Sequence, residues 1–231
     1  MRRLVFVDLD GTLLAGASEP RFIGHLLATR RIGPGACLRA LSFALRHGAR
    51  FGRHVWKKNK AYLAGFTTAD LERWGRDFAT ERLIPSLRPQ ICARLASHRA
   101  AGDRIVLMTG TPDFLAAPIA ASIGAASWIA TSCARDGERY LAAPPPRHPF
   151  AAEKLALASE AASRLGVAIG DCVAYADTAA DIDLLAAVGT PVAVNPDRGL
   201  ARHARRHGWE IIACDSRRPF RRIAARAGQR A

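Results

Sequence analysis

The first fourteen residues set the tightest limit on what this chain can fold into. Leu4-Val5-Phe6-Val7 is an unbroken apolar run with two β-branched members, and it leads straight into Asp8-Leu9-Asp10-Gly11-Thr12. Such a run reads as a buried strand of a parallel sheet. The acids then stand at its carboxyl end, the edge where open α/β sheets bind ligands, and side-chain alternation puts Asp8 and Asp10 on the same side of the strand line. Two carboxylates that close resist ionising together unless a cation neutralises one or one keeps its proton. Two roles follow, a metal-bound nucleophile and a protonatable acid/base. Asp-Gly is also ordinary turn chemistry, so the choice rests on what the rest of the chain supplies.

Three later stretches bear on it. The strand Arg104-Ile105-Val106-Leu107-Met108 is followed at once by Thr109-Gly110-Thr111-Pro112. That sets a hydroxyl and free backbone amides just before a helix N-terminus, a place that suits a phosphate anion and equally a plain N-cap. Lys154 lies near the start of an alanine-rich helix and is the only lysine after Lys60 in a chain that otherwise uses arginine. A compact ammonium there can neutralise a phosphoryl oxygen. The strand Cys172 to Ala176 ends in Asp177-Thr178-Ala179-Ala180-Asp181. A second pair of acids at a strand end would repel, and bound Mg²⁺ resolves this because it takes hard oxygen ligands. Asp183 reads as an exposed helix residue.

Between the first acids and the next strand the pattern is helical. Gly16 to Ile84 shows no buried strand, has breaks at Gly33-Pro34-Gly35 and Thr67-Thr68, and carries a capping-box pattern, Thr67-x-x-Asp70, ahead of Leu71, Trp74 and Phe78. This segment, residues 16–84, is expected to be a helical cap over the carboxylates, inserted into an α/β core of residues 1–15 and 85–215. Residues 216–231 form an arginine-rich tail. Phe114 to Ala134 has no charge, yet Pro118, Gly124 and its small residues fit a helix, a turn and a short strand better than a membrane span. Arg135-Asp136-Gly137-Glu138 signals a hairpin with no chemical role, and Pro144 to Pro149 a stiff connection.

Taken in order, these motifs resemble those of the haloacid-dehalogenase-like (HAD) superfamily. Asp8-x-Asp10-Gly11-Thr12 matches its first motif, Thr109 its second, Lys154 its third, and Asp177 with Asp181 its fourth. The helical cap, Thr109 to Phe114, and the end from Val188 to Ile212 are similar to subfamily IB, the phosphoserine-phosphatase-like branch. The resemblance implies a doubly wound parallel sheet and an Mg²⁺-dependent phosphatase. It implies that Asp8 attacks phosphorus to form an aspartyl-phosphate, while Asp10 protonates the leaving alkoxide and then deprotonates water. It further implies a metal held by Asp8, the Asp10 backbone carbonyl and Asp177, with Asp181 binding through water or orienting the shell. Thr109, the Gly110 amide and Lys154 would hold the phosphoryl group. Two departures stand out: Ala176 and Ala180 replace a Gly and an Asn of the fourth motif, and Glu19 is displaced from the branch's amino-reading glutamate, with Ala17 closer to that position.

Composition narrows the partners. At 231 residues, 49% apolar and 23% charged, the chain suits one sizeable soluble unit or a core plus an insertion. Its five cysteines are far apart and read as buried thiols of a reducing compartment, and no export signal interrupts a cytoplasmic reading. The net charge of +14 is uneven: residues 20–69 hold ten Lys/Arg and no acid, and ten more arginines follow from Arg198. Such patches attract phosphorylated substrates, anionic membrane surfaces or nucleic acid, and an arginine-rich solvated surface would look the same. The expected function is hydrolysis of a small phosphorylated metabolite of the amino-acid or amino-alcohol phosphate type. A phosphatidylglycerophosphate-type lipid phosphatase and a phosphotransferase share the same residues. A basic nucleic-acid or membrane-binding protein on an idle core is the non-enzyme alternative, which the intact acids and lysine oppose; weak contact with an anionic membrane is retained, specific nucleic-acid binding is not.

Overall fold

The computed structural model describes residues 3–214, so the arginine-rich tail expected at 216–231 lies outside the described residues. Eight strands occur among them: β1 (Leu4–Val7), β2 (Arg104–Pro112), β3 (Ser127–Thr131), β4 (Arg135–Asp136), β5 (Arg139–Tyr140), β6 (Val173–Ala176), β7 (Thr190–Val194) and β8 (Glu210–Ile212). The helices are α1 (Ser18–Ala28), α2 (Pro34–Phe51), α3 (Val55–Lys58), α4 (Thr68–Phe78), α5 (Pro89–Ala100), α6 (Asp113–Ser122), α7 (Ala152–Arg164), α8 (Ile182–Ala187) and α9 (Arg198–His207).

Six strands form one parallel sheet in the order β3-β2-β1-β6-β7-β8. The chain leaves β1 toward β2 and β3, then crosses back to β6 on the other side of β1. This is the doubly wound arrangement, with the order reversing at β1, and such a reversal opens a crevice at the carboxyl ends of the strands. All four residues of β1 are buried, and their alternation divides the core in two. Val5 and Val7 belong to a cluster with Leu95 of α5 and Leu115 of α6, while Leu4 and Phe6 pack with Ala158 of α7 and Leu185 of α8.

The first of these clusters runs on into the helical segment after β1. Phe22 of α1, Leu71 and Phe78 of α4 and Leu83 join it, with the Phe22 ring 5.4 Å from Phe78 and 5.6 Å from Phe114. Gly75 lets α4 lie against α6, since a Cβ there would fall 2.6 Å from the Phe114 ring. Farther out, Phe43, Val55 and Ala61 make a small separate cluster beneath α2. The expected breaks are where the helices change: Gly33 precedes α2, and the Thr67 hydroxyl caps α4 by accepting from the Asp70 amide. Short 3-10 turns at Gly52–His54 and Ala61–Leu63 add a break the pattern does not show.

Two expectations are corrected, on β2 and on the cysteines, and the expected hairpin is present. Strand β2 continues through Thr109 to Pro112 instead of turning after Met108, because its edge goes on pairing with β3 across an irregularity between Met108 and Pro112. Thr109 is therefore a strand residue, four positions ahead of α6. The hairpin β4–β5 fastens the helical segment to the core, since Gly65 N–H donates to Tyr140 O at 2.9 Å, Tyr140 N–H to Phe66 O at 3.0 Å and Thr68 N–H to Glu138 O at 2.8 Å. All five cysteines are free, but Cys37 is exposed and Cys92 half-buried, so only three are buried thiols. Among the described residues no helix is long and apolar enough to cross a membrane.

Candidate active site

The acids at the end of β1 face those at the end of β6. Asp8 N–H donates to Tyr175 O at 3.0 Å, continuing the pairing of the two strands by one residue. Gly11 then turns the chain at φ +88°, where a Cβ would sit 1.8 Å from Asp177 Oδ2, so only glycine lets the two loops meet. Thr12 Oγ1 donates to Asp177 Oδ1 at 3.3 Å. Oxygens of Asp8, Asp177 and Asp181 lie within 4.8 Å of one another.

Lys154 is the ammonium that this cluster needs. Ala151, held at φ +51°, starts α7 so that Lys154 in its first turn reaches under the sheet edge. Lys154 Nζ donates to Asp8 Oδ1 at 2.7 Å and lies 2.9 Å from Asp181 Oδ1. The second approach pairs charges without hydrogen-bond alignment, and it leaves Asp181 Oδ1 a buried oxygen with no donor. Burial pushes the Asp8 carboxyl up to about 7, with Asp181 and Asp177 adding to the rise and Lys154 opposing it. Burial, then Asp181, pushes Asp177 up to about 6. Burial would lower Lys154, but Asp8 and Asp181 outweigh it and hold the ammonium charged.

Asp10 points to the other side, toward α1 and β2. Its Oδ1 accepts from the Ser18 amide at 2.8 Å, and its Oδ2 from the Ser18 hydroxyl at 3.1 Å and the Thr111 hydroxyl at 3.4 Å. Ser18 Oγ lies 2.7 Å from Thr111 Oγ1, which in turn accepts from Thr109 Oγ1 at 3.0 Å. Burial raises the Asp10 carboxyl above its ordinary value while the Ser18 amide and hydroxyl restrain it. Asp10 and Asp8 are thus two carboxyls in different surroundings, the first held by hydroxyls and an amide, the second by an ammonium.

A cavity of about 430 Å³ opens on all of this, a size that suits a small molecule. Asp8, Asp10, Thr109, Gly110, Lys154, Asp177 and Asp181 all line it, so every residue singled out from the sequence comes to one place. Ala17 and Glu19 both reach it from the start of α1; Trp56, Lys57, Asn59 and Phe150 also line it, and His148 lies beside Gly110. The Glu19 carboxylate accepts from Lys60 Nζ and, at 2.8 Å, from the Tyr62 hydroxyl. His148 Nδ1 is 2.8 Å from Thr131 Oγ1, whose single proton goes to Gly110 O at 2.6 Å, so Nδ1 is the protonated nitrogen of that ring.

Sequence reasoning missed Ser18, Thr111, Lys60, Tyr62 and His148. Thr111 stands within the second motif, and its alternation with Thr109 along a strand was the available signal. Beside the alanines at 176 and 180, the Thr178 hydroxyl donates to Asp181 Oδ2 at 3.3 Å and Asp197 Oδ2 accepts from the Ala179 amide at 3.0 Å. Asp183 is exposed, as expected.

The donor set fits Mg²⁺. Three carboxylates converge on one another with a single ammonium between two of them, one buried oxygen has no hydrogen bond, and all the donors are hard oxygens.

Comparison with known proteins agrees with this geometry. The model of the family described as haloacid dehalogenase-like hydrolase matches residues 5–186. A histidinol-phosphatase of Neisseria meningitidis is 29% identical over 223 residues, covering 92% of this chain and 99% of that protein. A phosphoserine phosphatase of Mycobacterium tuberculosis is 30% identical over 232 residues, covering 96% of this chain and 73% of that protein. Among solved structures, a Bordetella pertussis protein of unknown function superposes with a TM-score of 0.79 at 31% identity, covering 92% of this chain and 99% of that one. With the match spanning most of its length, the chain belongs to the haloacid dehalogenase-like hydrolase family, in which these relatives are named as phosphatases.

Proposed function

We propose that the chain is an Mg²⁺-dependent phosphomonoesterase acting through an aspartyl-phosphate on a small phosphorylated metabolite. The observation that carries this reading is Lys154 bridging Asp8 and Asp181 beside Asp177, an arrangement with more negative charge than one ammonium balances. Bound Mg²⁺, held by Asp8, Asp177, the Asp10 backbone carbonyl and, directly or through water, Asp181, would supply charge neutralisation for the phosphoryl oxygens and keep Asp8 ionised. An Asp8 oxygen attacks phosphorus in line while the ester P–O bond breaks, and Asp10 gives its proton to the departing alkoxide. Asp10, now a carboxylate, takes a proton from water, whose oxygen attacks the same phosphorus and frees Asp8 and inorganic phosphate. Thr109, the Gly110 amide and Lys154 steady the phosphoryl group through both steps. Residues 16–84 act as the cap that keeps bulk water out.

The relatives named for phosphoserine and histidinol phosphate support amino-acid and amino-alcohol phosphates as the substrate range. Phosphate release from such esters, with and without Mg²⁺, tests the reading. Release that needs Mg²⁺ and vanishes in Asp8→Asn supports it, and release that survives the substitution overturns the nucleophile.

A second reading concerns where the enzyme works. Leu38, Leu41 and Leu45 form one exposed stripe along α2, at 67%, 51% and 78% exposure, flanked by Arg39, Arg46 and Arg50. Apolar side chains in a basic surround match the interface of an anionic lipid bilayer. A second copy of the same face would bring like charges together, so the lipid surface is the partner we assign.

A further inference from the structure

Two sets of residues line the cavity. The strand ends and α7 supply the carboxylates and Lys154; the segment 16–84 supplies Glu19, Trp56, Lys57 and Asn59, and on the phosphatase reading this second set is what meets the leaving group of a phosphomonoester. A lone carboxylate in such a wall would be the natural receiver of a substrate cation. Glu19 is not free to act that way. Its Oε2 accepts from Lys60 Nζ and its Oε1 from the Tyr62 hydroxyl, so each oxygen already has a donor.

Lys60 cannot easily let go. It is 1% exposed, and besides Glu19 its ammonium meets only the Lys57 carbonyl, at 3.1 Å, among the described contacts. Turning Glu19 toward a substrate ammonium would leave a buried lysine without its counter-charge, which is among the costlier states a protein interior offers. The remaining charge on this wall is positive. Lys57 lines the cavity with its Nζ 4.0 Å from the Phe150 ring centre, and no acid occurs from residue 20 to 69 to balance it. The neighbouring His148 registers the same field: burial first, then Lys60, Lys58, Lys57 and Lys154, push its imidazole down to about 3.

We propose that Lys60 serves as an internal ammonium for Glu19, so that the cavity selects phosphomonoesters of acidic alcohols and draws no binding from an ammonium on the substrate. This rests on the phosphatase reading and departs from its amino-alcohol range: a carboxylate on the leaving group matters, and an amino group does not. Lys57 is the residue placed to meet that carboxylate.

A matched set of esters tests it. 3-Phosphoglycerate and O-phosphoserine share a carboxylate and differ in a hydroxyl against an ammonium, and phosphoethanolamine keeps the ammonium without the carboxylate. With the native protein and Mg²⁺, kcat/KM is expected to be at least as high for 3-phosphoglycerate as for O-phosphoserine, and about tenfold lower for phosphoethanolamine. Lys60→Met frees Glu19 and should move the ratio of O-phosphoserine to 3-phosphoglycerate about tenfold toward O-phosphoserine. Lys57→Met should erase the preference for carboxylate-bearing esters. Should Lys60→Met fail to fold by circular dichroism, the native ranking decides alone. A native preference of about tenfold or more for either ammonium-bearing ester, or a folded Lys60→Met with an unmoved ratio, overturns the proposal and leaves the phosphatase reading standing. Absence of hydrolysis across all three esters and p-nitrophenyl phosphate removes both.

Discussion

Ser18 holds Asp10 twice, through its backbone N–H at 2.8 Å and its hydroxyl at 3.1 Å. Ser18 is the first residue of α1, so the Asp10 carboxyl also satisfies one of the free amides at the start of that helix. The position of the cap's first helix and the protonation of Asp10 are thus one equilibrium seen from two sides.

Ser18→Ala should therefore act on protons more than on binding. Removing a donor that favours the charged form raises the Asp10 carboxyl further, because the Ser18 hydroxyl opposes the effect of burial. The pH profile of kcat should shift toward higher pH by about one unit or more, with KM nearly unchanged, since a hydrogen bond to a charged group is worth about 1.5–3 kcal/mol. A profile that keeps its midpoints would end this assignment.

Metal binding and pH should be linked through Asp8 and Asp177. Burial is the main cause that pushes them up to about 7 and about 6. Both values lie above the unfolded one, so the native metal-free protein holds protons that the unfolded chain has already released. Stability from these groups is full at low pH and is lost as pH rises through about 6 to 7. Mg²⁺ binds best once those protons have gone. In EDTA the melting temperature should fall between about pH 5 and 7.5, and the rise produced by Mg²⁺ should be greater at the upper pH than at the lower by about 3 °C or more. An Mg²⁺ effect equal at both pH values would contradict the carboxylate cluster as the metal site.

Gly11→Ala is expected to abolish turnover while leaving the fold. The new methyl would occupy the place of Asp177 Oδ2, and the residue would also sit at φ +88°. The local strain is of order 1–3 kcal/mol, too little to unfold a chain with two buried clusters. Calorimetric titration should show Mg²⁺ affinity reduced at least about tenfold, with far-ultraviolet dichroism unchanged; full activity would mean the loops tolerate separation.

The stripe on α2 makes a separate claim. The native protein should float with phosphatidylglycerol vesicles at low salt and not with phosphatidylcholine vesicles. A variant with Leu38, Leu41 and Leu45 changed to Ser should lose flotation and keep its activity on soluble esters, since none of the three lines the cavity. A salt-dependent dimer measured by ultracentrifugation, without flotation, would give the face to a second copy instead.

How much of this was legible in the sequence depended on distance along the chain. Asp8 with Asp10 and Asp177 with Asp181 could be read because each pair ends a strand whose apolar run is unmistakable, and parallel strands deliver their carboxyl ends to one edge. Lys154 was legible through its rarity. The grip of Ser18 on Asp10 spans only eight residues, yet it depends on where α1 begins, and Ala17 before it offers no side-chain cap to mark the spot. Glu19 looked merely displaced, because its partners Lys60 and Tyr62 come from 41 and 43 residues away, brought back by turns at Gly52–His54 and Ala61–Leu63 with no strong pattern. Thr109 was set at a helix start rather than within β2, since pairing with β3 is a tertiary fact that local composition does not carry.

The β4–β5 hairpin has a further consequence for timing. Because Gly65, Phe66 and Thr68 are stitched to Glu138 and Tyr140, the helical segment is pinned at a third point besides its two chain connections. A lid fastened on three sides does not swing as a whole. The outer corner around α2 and α3, which joins the main core through Ala36 and adds the small Phe43, Val55 and Ala61 cluster, is the part we expect to admit substrate and release phosphate. Were exchange rather than chemistry to limit turnover, a substitution in that cluster would change kcat from well away from the residues that line the cavity.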